Sequence, residues 1–174
     1  MVPMIRRTNA DLAVAAVGAG GDQDEPMPEG EPSMTAAPME HDNVIITLLA
    51  SGQPVFGMFA PEQSADGGVQ AAANHETDFI FYSLESGPWD IPTMETFMAS
   101  MAQAAGESGP HPVVLRIPPI RDDRDAARAH MQEGLAAGID GLVLPHVETV
   151  ADVAVATEVA GDRLWPLNPD GDVL

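Results

Sequence analysis

Three stretches of the chain are apolar at consecutive positions and then run abruptly into polar or charged residues. Phe79 to Ser83 leads into Leu84-Glu85-Ser86-Gly87-Pro88. Val113-Val114-Leu115-Arg116-Ile117 ends at Pro118, and Gly141-Leu142-Val143-Leu144 is followed by Pro145-His146-Val147-Glu148. Short runs without in-and-out alternation predict strands buried on both faces, as in parallel sheets. Between them the apolar positions recur at helical spacing. Met94, Phe97, Met98 and Met101 share one face of a helix that Pro92 opens and that extends to Ala105. These methionines read as core fillers rather than as a metal or cofactor box.

The same punctuation extends along the chain. Asp42 or Asn43 caps a helix through Leu49, stopped by Gly52. Val55 to Phe59 reads as a strand. Pro61 with Glu62 opens a helix to Asn74, weakened by Gly67 and Gly68. Asp122 or Asp123 begins a helix through Ala137, ended by Gly138, and Glu148-Thr149 opens another to Ala160. Leu164-Trp165-Pro166-Leu167 predicts a last strand, made irregular by its proline. Strand and helix alternate at roughly 25–35 residues, which predicts a parallel α/β sheet with right-handed crossovers. Domains of this kind, barrels above all, place reactive groups at the carboxyl ends of their strands.

The N-terminal 42 residues read differently. Arg6-Arg7 before the small apolar run Leu12 to Val17 has the charge order of a weak export signal; a disordered tail or a stray helix is the alternative. Gly18 to Asp42 is rich in Gly, Pro and acids, cannot offset its ordering entropy, and reads as a linker. Gly18-Ala19-Gly20-Gly21 lacks the flanking strand and helix that a phosphate cradle needs. The expected organisation is therefore an extension over 1–42 and one folded domain over 43–174. A cytoplasmic location is favoured, with export as the alternative.

Composition narrows the chemistry. A length of 174 residues with 45% hydrophobic content suits one domain with a real core. The formal net charge of −20 sets aside nucleic acid and anionic membranes as partners, and no segment approaches the ~20 apolar residues of a membrane span. The seven basic residues are all Arg, so no imine-forming aldolase chemistry is available. With no Cys, thiolate nucleophiles, disulfides and Cys-bound zinc are excluded.

Glu85, just past a strand, is a candidate general base, metal ligand or helix cap. Ser86 has no His or Lys beside it in sequence and reads as a loop hydroxyl bonded to local backbone. Arg116 is the strongest candidate. A guanidinium ending an apolar strand either faces a polar pocket, where its fork suits a carboxylate or enolate oxygen, or sits in a structural ion pair. Arg121, Arg124 and Arg128, beside Asp122, Asp123 and Asp125, read as solvated helix charges. His146 and Glu148 are placed to face a metal or to be surface groups. His41, His75, His111 and His130 show no ligand spacing.

From Asn43 to Leu174 the chain resembles the HpcH/HpaI aldolase/citrate lyase family, of the phosphoenolpyruvate- and pyruvate-binding TIM-barrel superfamily. The resemblance rests on Gly52 to Gly57, Asp78-Phe79 leading into Leu84 to Pro88, Val113 to Pro118, and Ala137 to Glu148. It implies a partial (β/α)8 barrel of four to five βα units and a divalent-metal-dependent carbon–carbon lyase. Such an enzyme acts on 2-keto acids through a pyruvate enolate, with Mg2+, Mn2+ or Co2+ as cofactor. Arg116 matches the family Arg at the keto or enolate oxygen, and Glu85 matches the acid of the family's Glu-His pair. Ser86 stands in place of the catalytic His and Ser83 in place of its orienting Asp, while the family's metal carboxylates fall beyond Leu174.

A full barrel takes ~250 residues, so the roughly 130 here imply its first half, with open sheet edges that favour a homo-oligomer. The alternatives are a non-catalytic relative or fragment that binds a small carboxylate or serves in assembly, and an unrelated open α/β domain of flavodoxin-like type.

Overall fold

The computed structural model describes residues 12–16, 43–161 and 164–165. The elements follow in the order β1 (Leu12–Ala16), α1 (Val44–Ala50), β2 (Gly57–Phe59), α2 (Ala65–Ala72), β3 (Phe79–Ser83), α3 (Ile91–Ala105), β4 (Val113–Arg116), α4 (Arg124–Ala137), β5 (Gly141–Leu144), α5 (Val150–Ala160) and β6 (Leu164–Trp165). One 3-10 turn, Gly106–Ser108, follows α3. The strands form one parallel sheet in the order β2-β3-β4-β5-β1-β6. From β2 to β5 each strand lies beside its successor and is joined to it through a helix. This is the layout of a partial (β/α)8 barrel.

Two expectations are corrected. Leu12–Ala16, read as part of a tail or export signal, is a strand with register partners on both sides: Gly141 to Leu144 of β5, and Leu164 and Trp165 of β6. A short apolar run has the same appearance in an export signal and in a central parallel strand, and the ladder to β5 along Ala13 to Ala16, with β6 beside Leu12 and Ala13, gives its backbone groups partners. The rest of the 1–42 extension lies outside the described residues. The second correction concerns α2, which begins at Ala65 rather than at Pro61. The Ser64 hydroxyl accepts the Gly67 N–H at 3.1 Å and so sets the cap.

Sequence-coded caps fix the helix starts. Asn43 accepts from Ile45, Asp90 from Thr93, Asp123 from Asp125 and Ala126, and Thr149 from Asp152. Each such cap contributes about 1 kcal/mol. Gly138 ends α4 in the left-handed conformation at φ 90°, which only Gly adopts without strain.

The core lies between the sheet and helices α2 to α5. Ile80 and Tyr82 of β3, Leu115 of β4 and Leu142 of β5 are buried with Met94, Phe97 and Met101 of α3 and Met131 of α4. Each large side chain buried this way contributes about 1.5–3 kcal/mol. Helices α2 and α3 approach closely at Gly68. A Cβ there would stand 2.2 Å from the Phe97 carbonyl oxygen, so the glycine that weakens α2 as a helix is what lets it dock.

The amino ends of the strands are pinned by two carboxylates. Asp78 accepts the Phe56 N–H at 2.8 Å, and Asp140 accepts the Val113 N–H at 2.9 Å. Asn43 donates to the Asp140 carbonyl at 2.8 Å and anchors α1 at the same end. Among the described residues, no helix is long and apolar enough to cross a membrane.

Candidate functional site

The carboxyl ends of β2 to β5 form a polar rim. Register sets who meets whom. Ser83, the last residue of β3, is level with Arg116, the last residue of β4, and Arg116 is level with Val143 of β5. Residues level in neighbouring parallel strands point to the same face, so Phe81, Ser83, Val114 and Arg116 share the face turned away from Tyr82 and Leu115. The structure thus brings Arg116 and Glu85 together.

The Arg116 guanidinium lies 5.3 Å above the centre of the Phe81 ring, which itself packs edge-on against Phe59 at 4.9 Å. Its Nε donates to Ser83 Oγ at 2.9 Å, and its Nη2 is 3.0 Å from Glu85 Oε2. Two directional contacts and an aromatic floor fix the fork in one orientation. Both partners are largely but not fully covered, the side chains retaining 29% and 19% exposure. Both groups therefore keep contact with solvent.

Two neighbouring loops complete the rim. Gln63, from the β2–α2 loop, donates to the Ser83 carbonyl at 2.7 Å. His146, from the β5–α5 loop, brings Nε2 to 3.9 Å from Glu85 Oε1. His146 is the one non-glycine residue with positive φ, 57°, among the described residues. A left-handed backbone at a β-substituted residue costs about 1–2 kcal/mol, and such strain gathers at functional sites.

The remaining sequence candidates fall elsewhere. Ser86 is exposed and makes no hydrogen bond among the described residues, so neither a bond to local backbone nor contact with the cluster is observed. Glu148 does not share a site with His146. It pairs with Arg121 at 2.6 Å. Arg124 and Arg128 are not merely solvated beside their sequence neighbours. Arg128 reaches Glu158 of α5 at 2.8 Å, and Arg124 reaches Asp152 at 2.6 Å. Helix α4 lies beside α5, and that juxtaposition supplies partners that sequence distance hides.

Asp152 is the group that sequence reading misses. Its side chain is buried, and it accepts from Arg124 and from the backbone N–H groups of Glu148 and Thr149. The Arg124 hydrogen bond, with the backbone and Thr149 donors, holds its carboxyl down at about 2 against the cost of burial. The spacing Thr149-x-x-Asp152 is a capping-box signal, and it would have found this residue. Trp89 is a second omission. It donates to Glu133 and stacks on His130 at 4.0 Å, tethering the loop that carries Glu85 to α4.

The expected divalent ion finds no ligand set here. No group of three or more His, Asp or Glu side chains able to hold a metal occurs among the described residues. Arg116 already neutralises Glu85, and Arg121 neutralises Glu148.

No protein-family model and no curated protein matches the sequence. A solved structure does resemble the fold: an HpcH/HpaI aldolase/citrate lyase family protein from Burkholderia cenocepacia J2315, at 22% identity and a TM-score of 0.56. The match covers 76% of this chain and 47% of that one, so the chain spans about half the length of the relative. The fold is thereby that of a partial β/α barrel.

Proposed function

We propose that the rim binds a small 2-keto acid in the manner of the carbon–carbon lyases whose fold it shares. The observation that carries this reading is the Arg116 fork, held by Ser83 and Glu85 at the carboxyl end of β4. In a fold of this class the substrate belongs at that end. A planar guanidinium on an aromatic floor suits a carboxylate beside a keto oxygen, and it stabilises the enolate left when the bond between the carbons α and β to the keto group breaks and the β-fragment departs as an aldehyde. Glu85 is the nearest carboxylate for proton transfer at the neighbouring carbon.

A second reading, binding without turnover, is favoured by one observation: Ser86, in place of a catalytic imidazole, is exposed and outside the cluster. One assay separates the two. Pyruvate release from 4-hydroxy-2-keto acids is followed with Mg2+, Mn2+ or Co2+ and again after chelation. Metal-dependent release supports the lyase reading. Saturable pyruvate binding without release supports the second. Binding that survives Arg116→Ala overturns both.

A further inference from the structure

We infer that Glu85 is the resident occupant of the anion position at Arg116, and that a ligand carboxylate enters by displacing it towards His146. This rests on the keto-acid reading of the same rim. Arg116 spends Nε on Ser83 and Nη2 on Glu85, and Nη1 has no partner among the described residues. Ser83 Oγ accepts from Arg116 Nε, and the Glu85 N–H points to it at 3.4 Å. Its own proton is therefore free to be donated. An incoming anion that takes the place of Glu85 meets Nη2 and, beside it, either Nη1 or the Ser83 O–H.

The displaced carboxylate has a destination. Glu85 Oε1 is 3.9 Å from His146 Nε2, too long for a hydrogen bond but closed by rotation of a side chain. His146 is 47% exposed, so water shares in receiving the carboxylate. Two carboxylates cannot share Arg116 without repulsion, so the exchange is one for one.

The exchange also sets specificity. Every ligand must repay the loss of an internal ion pair. A lone carboxylate only replaces Glu85 in kind. A ligand with a second oxygen on the adjacent carbon also engages Nη1 or the Ser83 hydroxyl and gains over it. The site therefore selects 2-oxo acids and their planar dicarboxylate analogue over simple monocarboxylates.

Calorimetric titration of the full chain with oxalate, pyruvate and acetate tests this. Glu85→Gln is expected to tighten oxalate by about tenfold, which is about 1.4 kcal/mol. His146→Ala is expected to weaken oxalate in the native background and to have no effect when combined with Glu85→Gln. A purely structural histidine would weaken both backgrounds equally, and that result overturns the displacement. So does weaker binding by Glu85→Gln. If that variant alters the circular dichroism spectrum, Glu85→Asp serves instead. Its shorter carboxylate falls short of Nη2 and is likewise expected to tighten oxalate. Arg116→Ala separates the two levels. Loss of binding there with no gain in Glu85→Gln sinks the displacement alone, whereas undiminished binding, or no binding by any variant, sinks the keto-acid reading as well.

Discussion

Arg116, the last residue of β4, and Glu85, two residues past the end of β3, face each other at 3.0 Å, with Ser83 holding the guanidinium at Nε. The fork, and not only the charge, is what the rim builds. Arg116→Lys keeps the charge on a flexible stem that cannot hold Ser83 and both oxygens of a ligand at once. Its pyruvate affinity is expected to fall by about tenfold or more, measured calorimetrically, while the melting temperature changes little, because an ion pair at this exposure contributes about 1 kcal/mol or less. Equal affinity in the Lys variant would show that a point charge is enough.

Tyr82 is the single tyrosine of the chain, and its hydroxyl is buried without a hydrogen-bond partner among the described residues. Burial, with a contribution from the nearby Asp90 carboxylate, pushes its pKa up to about 12. A raised folded-state value means that the stability linked to this group is intact below pH 10 and is lost as pH rises from 10 towards 12. Absorbance at the phenolate band is expected to titrate near pH 12 in the native protein and near 10 in urea. Tyr82→Phe removes the orphan hydroxyl and is expected to raise stability by about 1 kcal/mol in denaturant melts. A drop of that size would reveal a partner for the hydroxyl.

Asp152 behaves in the opposite sense. Its carboxyl is held below the ordinary value of 3.8, at about 2, so its contribution is complete above pH 4 and disappears as pH falls from 3.8 towards 2. Asp152→Asn is expected to melt earlier at neutral pH and to show a flatter acid limb over that window. Parallel acid limbs in the two proteins would place the sensitivity at another carboxylate.

Gly68→Ala places a methyl where the Phe97 carbonyl already stands. Although alanine is the better helix former by about 1 kcal/mol, forcing α2 off α3 costs about 1–3 kcal/mol or more, and the net change is destabilising. Urea unfolding checks the sign. A stabilised variant would mean that the two helices slide apart freely.

The fold was largely legible because its signals are local. Asn43, Asp123 and Thr149 cap the helices they announce, Gly138 stops α4, and the uninterrupted apolar runs at Phe79, Val113 and Gly141 are strands. The N-terminal strand was not legible, since an apolar run of five residues has no local mark that separates a sheet centre from a leader. The site was half legible. Arg116 and Glu85 stand out because charges at the ends of apolar strands need a reason. Their union, the role of Gln63, and the Arg124–Asp152 bond depend on which strands and helices become neighbours, and no spacing rule carries that.

The carboxylates of Asp78 and Asp140 staple adjacent strands at the end remote from the rim. The staples and the candidate site thereby occupy opposite ends of the sheet. Exchange of the loops at the carboxyl ends is therefore expected to leave both staples in place, and with them the registration of the sheet.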